Sequence, residues 1–536
     1  MKQIITLLEK RYIKIIFLLV SGALTGLTVC FPVIGALEWI SIIPAALVIF
    51  SLAKSENHRL RSDYLYGLLY FMGYFVATWH WFYVMYPMEY TGMSPFAAAT
   101  VLLAAILGLP FLQSIGFAFV FVLSVFIIRG SLAQRFRLIA PFIFATLWTV
   151  FEWFQTLFWF GVPWGRISVG QTEILVTSQS ASLFGCYIVT FILVSVNALI
   201  AYALFNAEAR RLFSFTAAAL FCVNIIIGVV VMVSDGKKDV KTIKVAAIQG
   251  NVSSTEKWDD ASWFDKTTES YGELTRKAAA EGAEIVVWAE TVLPTYIEDF
   301  YMGQEFLSDL AKECDVTLLV GTISYGPDEE GQYNALIAIT PDGEFHNEEY
   351  YKQRLVPFGE YMPWRELISA VIPALAEVNV LDDDFTAGND SKIISTDEVQ
   401  IGALICFDSI YEELTRKSVK NGAEFIAMAT NDSWFFDSAA VSIHVNQAKL
   451  RAIESGRYLV RSANTGISAI ITPTGKLLDV EPALIDGYCI SEIELRTNST
   501  LFSLIGNVFV YLSIAFTVFL TVYEPITKIK KGKNNA

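Results

Sequence analysis

The sequence predicts an α-helical transmembrane bundle of about eight spans carrying one extracytoplasmic α/β domain. Of the 536 residues, 54% are hydrophobic and only 17% charged, and the mean hydropathy of +0.47 exceeds what a water-soluble fold needs. Apolar stretches of about 20 residues, the length that crosses a ~30 Å hydrocarbon core, follow one another to residue 234 and recur once near the C-terminus. Between them lies a block in which short β-branched runs alternate with helical patterns, the mark of a layered α/β domain.

The expected spans are 15–34, 36–53, 64–86, 95–128 (with room to tilt, or to break at Pro110), 138–157, 174–205, 212–233 and 501–523. The first is too long for a cleaved signal peptide and another span follows at once, so it reads as an uncleaved anchor. Positive residues resist translocation. Placing the N-terminus inside puts Lys10, Arg11, Lys54, Arg59, Arg129, Arg135, Arg210, Arg211 and the tail lysines 528–533 in the cytoplasm, against Arg166 alone in the short outer loops. Both termini are then cytoplasmic. The chain divides into a seven-span domain (1–235), an extracytoplasmic domain (236–500), and an eighth span with a basic tail (501–536).

The net charge is −15, and the acidic excess sits in the outer block. No basic face is available for nucleic-acid phosphates. Six cysteines in so long a chain make no disulfide scaffold, and His58, His80, His346 and His444 have no metal-ligand spacing; no metal or cofactor is expected. Expected strands are 242–249, 284–289, 316–320, 334–340, 399–406, 424–430, 458–463 and 468–472, with helices at 264–281 and 412–421.

Three chemistry-bearing residues fall at the ends of such segments, where a rigid sheet aims side chains into a cleft: Glu290, Lys352 and Cys406. A carboxylate can take a thiol proton, an ammonium can stabilise thiolate and oxyanion, and the thiolate can form a covalent intermediate. Taken singly, each also has a plain structural reading: a small buried hydrophobe, a solvated turn residue, and a surface ion pair worth about 1 kcal/mol or less.

The flanking residues carry more. Gln249–Gly250–Asn251 with Trp258 downstream, Trp288–Ala289–Glu290–Thr291 before Leu293–Pro294, Lys352 before Leu355–Val356–Pro357–Phe358–Gly359–Glu360–Tyr361–Met362–Pro363, and Asn431–Asp432–Ser433–Trp434–Phe435 form ordered blocks. They resemble those of the nitrilase (carbon–nitrogen hydrolase) superfamily and, within it, the apolipoprotein N-acyltransferase family of the bacterial inner membrane, whose eight-span layout the whole chain also resembles. The resemblance implies an αββα sandwich, Glu290 as general base, Lys352 as the stabilising ammonium, Cys406 as nucleophile and Glu360 as a supporting glutamate. The Phe407 N–H, just after the nucleophile, is a plausible oxyanion donor. Better-known members carry Cys-Tyr-Glu where this chain has Cys406–Phe407–Asp408, and the His444 region matches loosely, so that histidine is assigned no chemistry.

The implied reaction moves a fatty acyl chain from a membrane phospholipid, such as phosphatidylethanolamine, through a Cys406 thioester to the N-terminal amine of a diacylated apolipoprotein. Trp258, Trp364, Trp434 and Arg166 are the expected lipid or substrate contacts, with Arg166 reading equally as a structural ion pair. The apolar segment 360–382 reads equally as a lid dipping into the bilayer or as an ordinary amphipathic helix. Phe158–Trp159–Phe160 is expected at the outer interface. Cys30, Cys186 and Cys222 are expected to pack within spans, and Cys314 and Cys489 share the outer domain. Two other readings are a membrane-tethered amidase with water as acceptor and a non-enzymatic transporter or scaffold.

Overall fold

The computed structural model describes residues 10–56, 58–88, 94–158, 161–235, 240–252, 262–327, 331–371, 384–396 and 398–534. Two units emerge: Met1–Tyr83, Thr100–Ser234 and Ile505–Ala536 in the first, Val84–Ala99 and Asp235–Leu504 in the second. The stretch 84–99, between two apolar helices in the sequence, thus groups with the second unit.

The first unit contains α1 (Arg11–Cys30), α2 (Ile43–Lys54), α3 (Leu60–Trp79), α4 (Pro95–Ile128, its first turns grouped with the second unit), α5 (Ala140–Phe154), α6 (Cys186–Phe205) and α7 (Arg210–Ser234), then the C-terminal helix Val508–Asn534. Six helical stretches among the described residues are long and apolar enough to cross a membrane: α1, Pro32–Lys54, α4, Arg137–Phe154, α6 and α7. Two expected spans fall short of that measure. The apolar part of the last helix, Val508–Tyr523, is short, and α3 carries Arg61, Asp63 and four tyrosines. Yet α3 packs against α1 with backbones nearly touching: a Cβ on Gly22 would lie 2.0 Å from the Tyr70 carbonyl oxygen, and one on Gly26 would lie 2.3 Å from that of Tyr74. Small residues permit such approach between helices that lipid cannot drive together. The exposed face of α7 presents Phe215, Ile226, Val230 and Val233, suited to lipid rather than water.

The expected span 174–205 is not one helix. Short turns Leu175–Ser178 and Ala181–Phe184 precede α6, which starts only after Gly185 at φ 77° breaks the helical path. At Pro110 the reverse holds, and α4 runs through it unbroken over 34 residues.

The second unit has strands β1 (Thr242–Gln249), β2 (Ile285–Val287), β3 (Leu293–Tyr296), β4 (Thr317–Ser324), β5 (Tyr333–Ile339), β6 (Tyr350–Tyr351), β7 (Ile393–Ser395), β8 (Gln400–Ile405), β9 (Phe425–Thr430), β10 (Leu459–Ala463), β11 (Ser468–Ile471), β12 (Leu477–Glu481) and β13 (Gly487–Glu494). One sheet runs β13-β1-β2-β4-β5-β6 with β3 beside β4; the other runs β12-β11-β10-β9-β8-β7. In both, the centre is parallel (β1-β2-β4 and β8-β9-β10) and the flanks antiparallel. Alternation decides which residues meet. Val245 and Ala247 of β1 join Ile401, Ala403 and Ala427 of the opposite sheet in one core, while Ala246 and Ile248 face helices α8 (Trp263–Ala280) and α9 (Tyr301–Cys314) in another. Helices α10 (Glu412–Lys420) and α11 (Ala439–Ser455) pack on the second sheet, completing the αββα layers. Central strands buried on both faces read as continuous apolar runs, each fully buried Val or Ile contributing about 1.5–3 kcal/mol.

None of the six cysteines is in a disulfide. Cys489 is fully buried with its thiol on the Ser468 carbonyl, which removes the exposed pair that Cys314 and Cys489 could have formed. Of the two readings of Arg166, burial fits the structural one. Arg166 is fully buried in the first unit, its guanidinium 5.0 Å from the Tyr187 ring centroid and 3.3 Å from Cys186 Sγ, so its visible partners are those of a packing residue rather than of a surface contact to lipid phosphate. Buried Glu38 and Glu152 are likewise bound within that unit, by Thr28 and Gln171, and by Trp148, Thr190 and the Ile167 amide.

Candidate active site

Where β2 ends the chain turns sharply, with Thr291 at φ 43°. The turn crosses β4 so closely that a Cβ on Gly321 would lie 2.3 Å from the Ala289 carbonyl oxygen and 2.8 Å from the Glu290 Cα; only glycine leaves space for Glu290. Glu290 Oε2 accepts the Asn431 N–H at 2.8 Å, from the loop after β9 in the opposite sheet. Its Oε1 accepts from Lys352 Nζ at 2.8 Å and from Asn334 Nδ2 at 2.7 Å.

Lys352 follows β6, its N–H bonded to the Asn334 carbonyl of β5. Its side chain is 1% exposed, and Nζ reaches Glu360 Oε1 at 2.8 Å as well as Glu290. Glu360 is set by the 356–361 turn, where its Oε2 accepts the Val356 N–H at 2.8 Å. Burial alone would lower the Lys352 pKa, but Glu290, Glu360 and the Cys406 sulfur outweigh it and hold the amine well above its ordinary value. It stays an ammonium and cannot be the base.

Cys406 follows β8 and opens a short 3-10 turn, Cys406–Ile410, with φ 46° at the cysteine itself. A non-glycine residue in this region costs about 1–3 kcal/mol and persists only where its surroundings hold it. The surroundings here are Asp408, which accepts from the Ile405 N–H (3.2 Å), the Tyr350 hydroxyl (2.9 Å), and the Gln353 and Arg354 N–H groups (3.2 and 2.8 Å). One buried carboxyl therefore ties the Cys406 turn to the segment just after Lys352. Burial pushes that carboxyl up to about 6 despite Lys352 and these donors. The Cys406 thiol is pushed well above the usual range by burial and then by the Glu290 charge, with Lys352 pulling the other way. At rest it is protonated, so forming a thiolate there requires a base. Glu290 is the carboxylate coupled to both thiol and ammonium.

The expected site residues thus part company. Glu290, Lys352, Cys406, Glu360 and Phe407 converge at one end of the sandwich. Trp434 is half-buried in the turn after β9, Trp364 is exposed at φ 47°, Trp258 lies outside the described residues, and Arg166 belongs to the other unit. Three contributors went unassigned in the sequence: Asn334, whose amide bridges Glu290 and Glu360 (3.0 Å to the latter), Asp408, and His444. The signal for Asn334 was a polar residue inside an apolar strand, Tyr333–Ile339.

Residues 244–500 match the carbon–nitrogen hydrolase family, and residues 21–199 match the apolipoprotein N-acyltransferase N-terminal domain. An apolipoprotein N-acyltransferase of Methylococcus capsulatus is 31% identical over 78% of this chain and 79% of its own length. The chain belongs to the apolipoprotein N-acyltransferase family. A relative so named in Geobacter metallireducens is 27% identical over 92% of both chains. Among solved structures, Saccharomyces cerevisiae Nit3, of the nitrilase superfamily, is similar at 20% identity and a TM-score of 0.37, covering 48% of this chain and 93% of its own. Membership makes the chain an acyltransferase of lipoprotein maturation in a membrane context; a water-using amidase is not favoured.

Proposed function

We propose that the chain transfers a fatty acyl group from a phospholipid to the N-terminal amine of a diacylglyceryl-cysteine lipoprotein, with Glu290, Lys352 and Cys406 as catalytic residues. The observation that carries this is a protonated, strained, buried thiol beside a carboxylate–ammonium pair. Glu290 takes the Cys406 proton as the thiolate attacks the ester carbonyl carbon. The resulting oxyanion is met by the Lys352 ammonium and the Phe407 N–H. Its collapse breaks the C–O bond, and the leaving lysophospholipid oxygen takes the proton from Glu290, leaving a thioester. The lipoprotein amine then attacks that thioester, Glu290 accepts the amine proton, the amide forms and the thiolate leaves and is reprotonated.

Glu360 and Asn334 hold Glu290 and Lys352 in register. Trp364 and Leu367, exposed apolar residues at the helix Arg365–Val371, are suited to meet acyl chains, and the Arg365–Asp384 ion pair at 2.6 Å clasps the base of this segment; the rest of the proposed lid, 372–383, lies outside the described residues. Phosphatidylethanolamine is the proposed donor. The lysine and arginine bias supports an inner-membrane protein with both termini cytoplasmic and 236–500 outside, between a domain at 1–235 and a last span within 501–536.

The test is mass spectrometry of the purified chain incubated with phosphatidylethanolamine. A hydroxylamine-sensitive fatty-acyl adduct on Cys406 that discharges onto a diacylated lipopeptide is the expected result. An adduct that drains only to water would return the hydrolase reading, and the absence of any adduct on Cys406 would remove the proposed nucleophile.

A further inference from the structure

His444 takes no part in the steps above, yet this 1%-exposed side chain lies directly behind the nucleophile. It projects from α11 with Nδ1 2.8 Å from Asp432 Oδ1, and Asp432 Oδ2 accepts from the buried Arg461 guanidinium. Burial would raise the Asp432 carboxyl, but Arg461 and His444 outweigh it and hold the group below the usual carboxylate range. As a carboxylate Asp432 only accepts, so Nδ1 carries a proton. On the far side of the ring Nε2 lies 3.2 Å from the Cys406 carbonyl oxygen and 3.0 Å from Ser409 Oγ, and the Ser409 hydroxyl donates to that same carbonyl at 2.8 Å. The Ser409 hydroxyl gives its one proton to that carbonyl and the carbonyl only accepts, so Nε2 makes its 3.0 and 3.2 Å contacts as a donor, and with Nδ1–H facing Asp432 both ring nitrogens carry protons.

This carbonyl and the Phe407 N–H are the two ends of one planar peptide group and point in opposite directions. Fixing the oxygen fixes where the N–H aims, and donors on the oxygen polarise the N–H in the same sense. The fixing matters because Cys406, at φ 46°, sits in backbone that relaxes unless held. We infer that His444 is a positioning residue for acyl transfer: clamped by Asp432 and Arg461, it donates to the Cys406 carbonyl and so aims the Phe407 N–H at the oxyanion. The inference rests on the proposed chemistry at Cys406, and it adds Ser409 as the second donor on the same oxygen.

Two substitutions separate the two ring nitrogens. His444→Gln places an amide nitrogen near the position of Nε2 and keeps a donor on the Cys406 carbonyl; the shorter His444→Asn reaches only toward Asp432. The full-length enzyme in detergent, given phosphatidylethanolamine in mixed micelles, is followed in a single turnover by the hydroxylamine-sensitive adduct on Cys406, with thermal melting alongside. Removing an oxyanion donor outright costs about 100–1,000-fold, so misaiming one in His444→Asn should slow acylation about 10- to 100-fold with half-saturating phospholipid unchanged. His444→Gln should stay within about fivefold of the parent at a similar melting temperature. Equal rates for the two variants, or an effect confined to phospholipid saturation, would overturn the inference. Should His444→Asn not fold, Ser409→Ala serves in its place: slowed acylation supports the role of the carbonyl clamp, and an unchanged rate overturns it. A parent enzyme that forms no adduct refutes the underlying reaction instead, which keeps the two failures apart.

Discussion

Replacing Lys352 by methionine should destabilise the protein in a way that a second substitution repairs. Glu290 Oε1 and Glu360 Oε1 each lie 2.8 Å from Nζ, so they are at most twice that distance, about 5.6 Å, from each other. With the ammonium gone, two ionised carboxylates at that spacing repel by about 3 kcal/mol at an effective dielectric of 20. Breaking a buried ion pair from one side typically costs about 3–5 kcal/mol, so Lys352→Met should melt several degrees below the parent. Adding Glu360→Gln deletes one charge and should return about 3 kcal/mol of the loss, although neither variant should acylate Cys406. The measurement is thermal melting of the full chain in detergent at pH 7, with the adduct assay on the same samples. A Lys352→Met protein that melts with the parent at pH 7, or a double variant no more stable than the single, would refute an ammonium caged by two charged carboxylates.

Three further outcomes are expected. Asp408, lifted by burial to about 6, binds its proton in the folded chain before the unfolded one does, so its ionisation penalises folding above pH 6 and is relieved below; the group should add about 1 kcal/mol of stability on going from pH 7 to 5, an increment that Asp408→Asn abolishes in melting curves. Gly321→Ala, whose Cβ would meet the Glu290 turn, should cut acylation at least about tenfold, because a small misplacement of a catalytic group is expensive, while the yield of membrane-inserted protein holds. Gly22→Leu should abolish monodisperse extraction by forcing α1 off the Tyr70 carbonyl, whereas Gly116→Leu, where a Cβ meets nothing within 4 Å, should behave as the parent in size-exclusion chromatography.

Strand positions buried on both faces were plain in the sequence because continuous Val, Ile and Ala runs leave little choice; 242–249 matches β1 to the residue. What escaped did so for identifiable reasons. β6 has two residues, too few for any period. α11 buries His444, Gln447, Lys449 and Arg451 alongside its apolar positions, so no polar face marks it as amphipathic. At the site, Glu290, Lys352 and Cys406 stood out because they end or follow strands and sit in recognisable blocks. Asn334 and His444 make contacts distant in sequence, to Glu290 and to the Cys406 carbonyl, which no local pattern encodes. That Arg166 is buried could not be read from hydropathy, which reports that a cation adjoins an apolar run and not whether the chain folds back over it.

The fit between α1 and α3 has a consequence for how the chain enters a bilayer. α3 carries an arginine, an aspartate and four tyrosines, and it gains little from leaving water by itself. Its favourable contacts are the backbone of α1 at Gly22 and Gly26, the Thr25 hydroxyl 3.2 Å from that of Tyr70, and the Gly165 carbonyl that accepts from Tyr74. A truncation ending before residue 163 should therefore hold α3 less firmly than the full chain does, because α1 precedes it in the chain while the Gly165 carbonyl that accepts from Tyr74 comes only later in synthesis.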